Sequence, residues 1–246
     1  MSFSPNGSSP RHAQTAAAMD NSPAACEFFE DRSTAQDFLP RSGGFYRTRG
    51  KRVFDIVVAS LMLVAFAPLM LALTALVAID GGRPFYAHPR VGLRGRTFGC
   101  LKFRSMCLGA AEMLPRILAS DPVAAAEWEA DHKLTNDPRV TRIGAFLRKS
   151  SLDELPQLFC VLRGDMSLVG PRPITEPELF RYGPARSAYL AMRPGLTGPW
   201  QVKGRNDISY DNRVTLDVNY GRKVTFRRDV KIMALTALSM LRLTGR

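Results

Sequence analysis

The chain has 246 residues, 46% of them hydrophobic, and carries 34 Lys and Arg against 22 Asp and Glu, a net charge of +12. That excess suits anionic lipid headgroups, phosphorylated substrates or polynucleotides and does not choose among them. The four cysteines, Cys26, Cys100, Cys107 and Cys160, form no C-x-x-C pair, which argues for reduced thiols and against a disulfide framework or a zinc site.

Residues 1–44 are rich in Ser, Ala, Pro and Gly, without apolar periodicity or a signal-peptide core, and read as a disordered tail. About 200 residues remain beyond it, one domain's worth of chain. Residues 56–79 then run for 24 positions without a charge, with Pro68 in the middle. Twenty or so apolar residues suffice to cross a bilayer core of about 30 Å. Basic residues flank the run on both sides, Arg41, Arg47, Arg49, Lys51 and Arg52 before it and Arg83, Arg90, Arg94 and Arg96 after it. Since Lys and Arg beside a membrane segment favour the cytoplasmic side, both ends claim that side. A helix broken at Pro68, entering and leaving by one face, satisfies both, because proline removes an N–H and clashes with the preceding turn. A straight span with a mild kink is the alternative.

Past this segment the pattern is that of a compact mixed domain. Residues 84–86 and 97–103, around Gly92, Gly95 and Gly99, read as a short hairpin. Helices are expected over 106–118 and 123–132, separated by Asp121-Pro122. Over 140–148, Val140, Ile143, Phe146 and Leu147 recur at helical spacing with Arg139, Arg142, Arg148 and Lys149 beside them. This is either an interfacial amphipathic helix or a core helix with a solvated basic face. Residues 232–241 are apolar and too short to span a bilayer.

Candidate chemistry lies between residues 150 and 173. Asp153 and Glu154 are adjacent carboxylates ahead of a helix start marked by Pro156. One carboxylate can attack phosphorus while its neighbour holds a hard cation. Ser151-Leu152-Asp153-Glu154 also matches a capping box, a purely structural helix start. Gly170-Pro171-Arg172-Pro173 presents a guanidinium from a stiff backbone, matched to a diphosphate or simply solvated. Residues 193–206 place Trp200 and Arg205 among glycines and prolines, where the indole serves either a nucleotide base or the core.

Five segments taken in order carry a resemblance. They are Lys51-Arg52-Val53-Phe54-Asp55, Leu101-Lys102-Phe103-Arg104-Ser105-Met106, Ser151-Leu152-Asp153-Glu154-Leu155-Pro156-Gln157-Leu158, the stretch 164–173 and the stretch 193–206. Over residues 51–246 the chain resembles the bacterial sugar transferases of the small monotopic phosphoglycosyl transferase type. Cys100-Leu101-Lys102-Phe103-Arg104 and Gly204-Arg205-Asn206-Asp207 make it most similar to the rhizobial exopolysaccharide-initiating galactosyl type. The resemblance implies an α+β, mainly helical fold in three parts. These are a disordered tail (1–44), a re-entrant membrane helix broken at Pro68 (45–82) and a cytoplasmic catalytic domain with a short hairpin and interfacial helices (83–246). It implies transfer of a hexose 1-phosphate, galactose or glucose phosphate, from a UDP-sugar to undecaprenyl (polyprenyl) phosphate at the inner membrane, with Mg2+ and release of UMP. Asp153 is the implied nucleophile and Glu154 its partner, the two also holding the metal. Lys102, Arg104, Arg148, Arg172 and Arg205 are the implied phosphate-binding residues. Membrane lipids are expected partners, nucleic acid is not, and a homodimer is admitted. The family commonly bends its helix at Ser-Pro, whereas this chain has Ala67-Pro68. The rival readings are a basic membrane-anchored scaffold without catalysis and a nucleic-acid binder, the second lacking any recognisable fold signature.

Overall fold

A computed structural model describes residues 44–79, 81–131, 134–203 and 209–241, so the expected tail lies, but for Gly44, outside the described residues. The architecture is mainly helical with one small antiparallel hairpin, as expected, and one further two-stranded sheet.

A π-helical turn, Tyr46–Gly50, leads into α1, Lys51–Ala78. Helical structure runs through Pro68, so the expected break takes the form of a proline inside a continuous helix, which removes one backbone hydrogen bond without ending the element. Only 17% of its most apolar stretch is buried, and Leu61, Val64 and Leu71 are 64%, 76% and 71% exposed. A core helix would hide such side chains, so this surface calls for lipid.

Both ends of α1 are held by the same domain. At the N-terminal end Arg52 donates to the carbonyls of Val161 and Leu162 (2.6 and 2.8 Å). One turn on, buried Asp55 accepts from the Ser167 hydroxyl (2.7 Å) and the Leu168 N–H (3.2 Å). Lys51 pairs with fully buried Asp229 at 2.7 Å. At the C-terminal end Arg104 donates to the Val77 carbonyl (2.8 Å). There Met70, Leu73 and Val77 also pack with Phe103, Leu147 and Leu155.

The hairpin pairs β1 (Phe85–Val91) with β2 (Thr97–Phe103), His88 opposite Cys100. It is followed by α2 (Ala110–Ser120), α3 (Pro122–Asp131) and α4 (Arg142–Ser150), each displaced by a few residues from expectation. Thr141 sets the start of α4 by accepting from the Gly144 N–H. Next come α5 (Gln157–Arg163), β3 (Ser167–Val169), α6 (Glu176–Phe180), α7 (Arg186–Leu190) and β4 (Gly195–Thr197), then α8 (Pro199–Lys203), α9 (Tyr210–Arg222) and α10 (Phe226–Leu241). Beside Gly170 and Gly195, where the sequence reading places no strand, β3 and β4 form a parallel pair. Glycine is required there, since a Cβ on Gly195 would collide with the backbone nitrogen of Gly170. The β3–β4 pair packs with α5 and the first half of α1 in the main core, around Leu158, Val161, Met166 and Val169.

Candidate active site

The two carboxylates sit on a 3-10 turn, Leu152–Glu154, between α4 and α5. Ser151, just before it, is in the left-handed region (φ 58°) and its side chain caps nothing, so the capping-box reading fails. The turn is fastened by Leu152 and Leu155, which pack with Leu147 and Phe103, leaving Glu154 free for another role. Its Oε1 accepts from Lys102 Nζ at 2.7 Å, and the same ammonium lies 3.5 Å from Asp153 Oδ2. Lys102 is delivered by β2, one residue before the strand ends. One cation thus bridges both carboxylates.

Asp153 is buried, 8% exposed. Burial pushes its carboxyl above the usual carboxylate range and Glu154 adds to the rise, while Lys102 and, more weakly, Arg148 pull it back. Against the desolvation that lowers it, Glu154 and Asp153 hold the Lys102 ammonium above its ordinary value. To act as a nucleophile Asp153 must be ionised, so an acid limb is expected in the pH–rate profile, activity being lost as pH falls through the raised value. Lys102→Met removes the main group that lowers it and should move this limb to higher pH. An unmoved limb, or one moved to lower pH, would show that Lys102 does not set the ionisation of Asp153.

The five candidate phosphate-binding residues are placed differently. Arg172 lies half-buried between Pro171 and Pro173, its guanidinium over the Trp200 ring at 5.1 Å. Burial and then Arg213 lower its pKa, and Glu154 raises it, which sets it in the electrostatic field of the dyad. Exposed Arg148 reaches Ser105 Oγ at 2.9 Å. Arg104 instead holds the carbonyls of Val77 and Arg83, joining the end of α1 to the hairpin. Arg205 lies outside the described residues. Trp200 is buried rather than open to a base. Arg213, which has no motif around it, is brought against the same indole at 4.8 Å. The sequence carries no signal for that, because the approach is made by tertiary packing of α9.

Among the described residues, no group of three or more His, Cys, Asp or Glu assembles. A metal here would draw on Asp153, Glu154 and substrate oxygens. That donor set fits magnesium, which is commonly held by one or two carboxylates together with substrate phosphates.

The family model described as bacterial sugar transferase matches residues 46–243. The chain is 53% identical over 195 residues to an undecaprenyl-phosphate galactose phosphotransferase of Salmonella typhimurium, covering 79% of this chain and 41% of that one. It is 49% identical over 203 residues to the exopolysaccharide production protein ExoY of Rhizobium meliloti, covering 81% of this chain and 90% of that one. An undecaprenyl-phosphate glucose phosphotransferase of Komagataeibacter xylinus is 39% identical over 201 residues, covering 76% of this chain and 35% of its own. The chain thus spans about two fifths of the length of the Salmonella typhimurium relative and of other curated relatives that it matches.

Proposed function

The chain belongs to the bacterial sugar transferase family, and from that premise we propose that it transfers a hexose 1-phosphate from a UDP-sugar to a polyprenyl phosphate. The observation that carries this reading is a buried Asp153 tied through Lys102 to Glu154, with Arg172 nearby. An Asp153 oxygen attacks the sugar-proximal phosphorus, the bond from that phosphorus to the bridging oxygen breaks, and UMP leaves. An oxygen of the prenyl phosphate then attacks the phosphorus of the phosphosugar on Asp153. The carboxylate departs, ionised again, and a polyprenyl diphosphate sugar is complete.

Lys102 keeps Asp153 ionised in a buried position and orients Glu154, while Arg172 offers a planar donor set to phosphate oxygens. Magnesium bound by Asp153 and Glu154 would neutralise charge on the diphosphate. The names of the relatives support galactose or glucose as the hexose. Release of UMP from a UDP-hexose, dependent on added undecaprenyl phosphate, tests the reading. Its absence across UDP-galactose and UDP-glucose would leave a scaffold.

The same proposal places α1 in the cytoplasmic leaflet as a re-entrant helix. A straight helix of 28 residues would run about 42 Å, longer than a bilayer core of about 30 Å. Yet one domain holds both of its ends. Single-cysteine reporters ahead of Phe45 and after Arg83, with the four native cysteines replaced, should both be shielded from an impermeant thiol reagent in intact cells. Labelling of the first alone would make α1 an ordinary span.

A further inference from the structure

Buried hydrogen-bond donors without acceptors gather around Trp200. The indole is 7% exposed and, among the described residues, its Nε1–H has no partner. Arg213 has two buried nitrogens, Nε and Nη2, that likewise have none. Arg172 and Arg213 both lie over this one ring, at 5.1 and 4.8 Å, and among the described residues no acceptor takes a hydrogen bond from the Arg172 guanidinium. Buried donors in folded proteins are nearly always paired, and two guanidiniums on one indole repel each other in a poorly screened setting.

The neighbouring carboxylates do not answer them. Glu178 already takes Arg90, the Thr175 hydroxyl and the Thr175 N–H. Asp217, one helical turn after Arg213, accepts from the Tyr182 hydroxyl at 2.9 Å on Oδ2, while its Oδ1 has no partner. Arg213 makes no ion pair with it and turns to the indole instead. Buried donors gathered around one ring with no acceptor among the described residues call for an anion with several oxygens. Arg172 also lies within electrostatic reach of Glu154.

We propose that Arg213 and the ring N–H of Trp200 form, with Arg172, a subsite for the diphosphate of the nucleotide-sugar donor. The inference rests on the reaction proposed above and deepens it. Trp200 acts as a platform for two cations and as a donor, not as a stacking surface for a base. Arg213 and Trp200 are binding residues that hold the diphosphate next to Asp153.

The test uses the full chain in detergent micelles, carrying Asp153→Asn so that no turnover intervenes, with UDP titrated calorimetrically. Arg213→Gln should weaken UDP about tenfold or more, as loss of charge-assisted hydrogen bonds does. Trp200→Phe, which keeps a ring and removes the N–H, should weaken it by a smaller factor. Arg213→Lys should recover part of the affinity, and uridine binding should not respond to any of the three. In the same variants made on the active chain, which keeps Asp153, the KM for prenyl phosphate should stay unchanged. A KM effect confined to prenyl phosphate would assign the subsite to the acceptor and overturn the proposal. So would unchanged UDP affinity in a folded Arg213→Gln protein, or equal losses in all three variants that track their melting temperatures. If UDP binding depends on Arg213 while the wild-type chain releases no UMP from UDP-sugars, the subsite stands and the transfer reaction falls.

Discussion

Replacing Asp153 by Asn is expected to reduce transfer to background while leaving the melting temperature close to that of the wild type. Asn keeps the size of the side chain on its 3-10 turn and its packing environment, but a neutral amide cannot attack phosphorus. Glu154 cannot take over, because Lys102 holds its Oε1 at 2.7 Å. Loss of a covalent nucleophile typically reduces turnover by several orders of magnitude. Residual transfer above about one hundredth of wild type, below the loss such a removal brings, would mean that the prenyl phosphate attacks the donor directly.

Asp229→Ala should have the largest effect on stability. This carboxylate is fully buried on α10 and accepts from Lys51 Nζ (2.7 Å) and from the hydroxyls of Tyr46 and Tyr220 (both 2.8 Å). Its removal takes away the closer of two carboxylates on the mostly buried Lys51 ammonium, leaving Asp55 Oδ1 at 3.7 Å. Breaking such a pair by deleting one partner costs about 3–5 kcal/mol. The N-terminal end of α1 should loosen from the domain, and activity should fall while the apolar helix keeps the protein on membranes. Asp229→Asn, which retains acceptors for both tyrosines, should cost less. An unchanged melting temperature for Asp229→Ala would show that the network does not anchor the helix.

The features legible in the sequence are those set by local pattern. Residues 56–79 stand out because an uncharged run of that length has few other uses, and the dyad stands out through its motif. The hairpin is half legible: β2 coincides with the expected stretch 97–103, whereas β1 runs beyond the expected 84–86 and through Pro89, tolerated because the strand pairs on one side alone. What escaped was made by tertiary contact. The three-residue strands β3 and β4 pair across an intervening stretch that holds two helices, too short for any periodicity to register. Lys51 and Arg52 read as flanking charge, yet the fold uses them to fasten α1 to Asp229 and to the end of α5. The Ser151 to Glu154 tetrapeptide fits two structures equally well until the left-handed Ser151 removes the cap. Arg104, a motif residue read as a phosphate ligand, also holds the end of α1, a role that its motif does not announce.

The central claim, a phosphosugar carried on Asp153, is tested most directly by weighing the intact protein after exposure to UDP-sugar and magnesium without prenyl phosphate. The expected result is a mass increase of one phosphohexose, mapped to Asp153 and absent from Asp153→Asn, with prompt release of at most about one equivalent of UMP. An unmodified chain with no UMP released, from a preparation that turns over normally once prenyl phosphate is added, would contradict it.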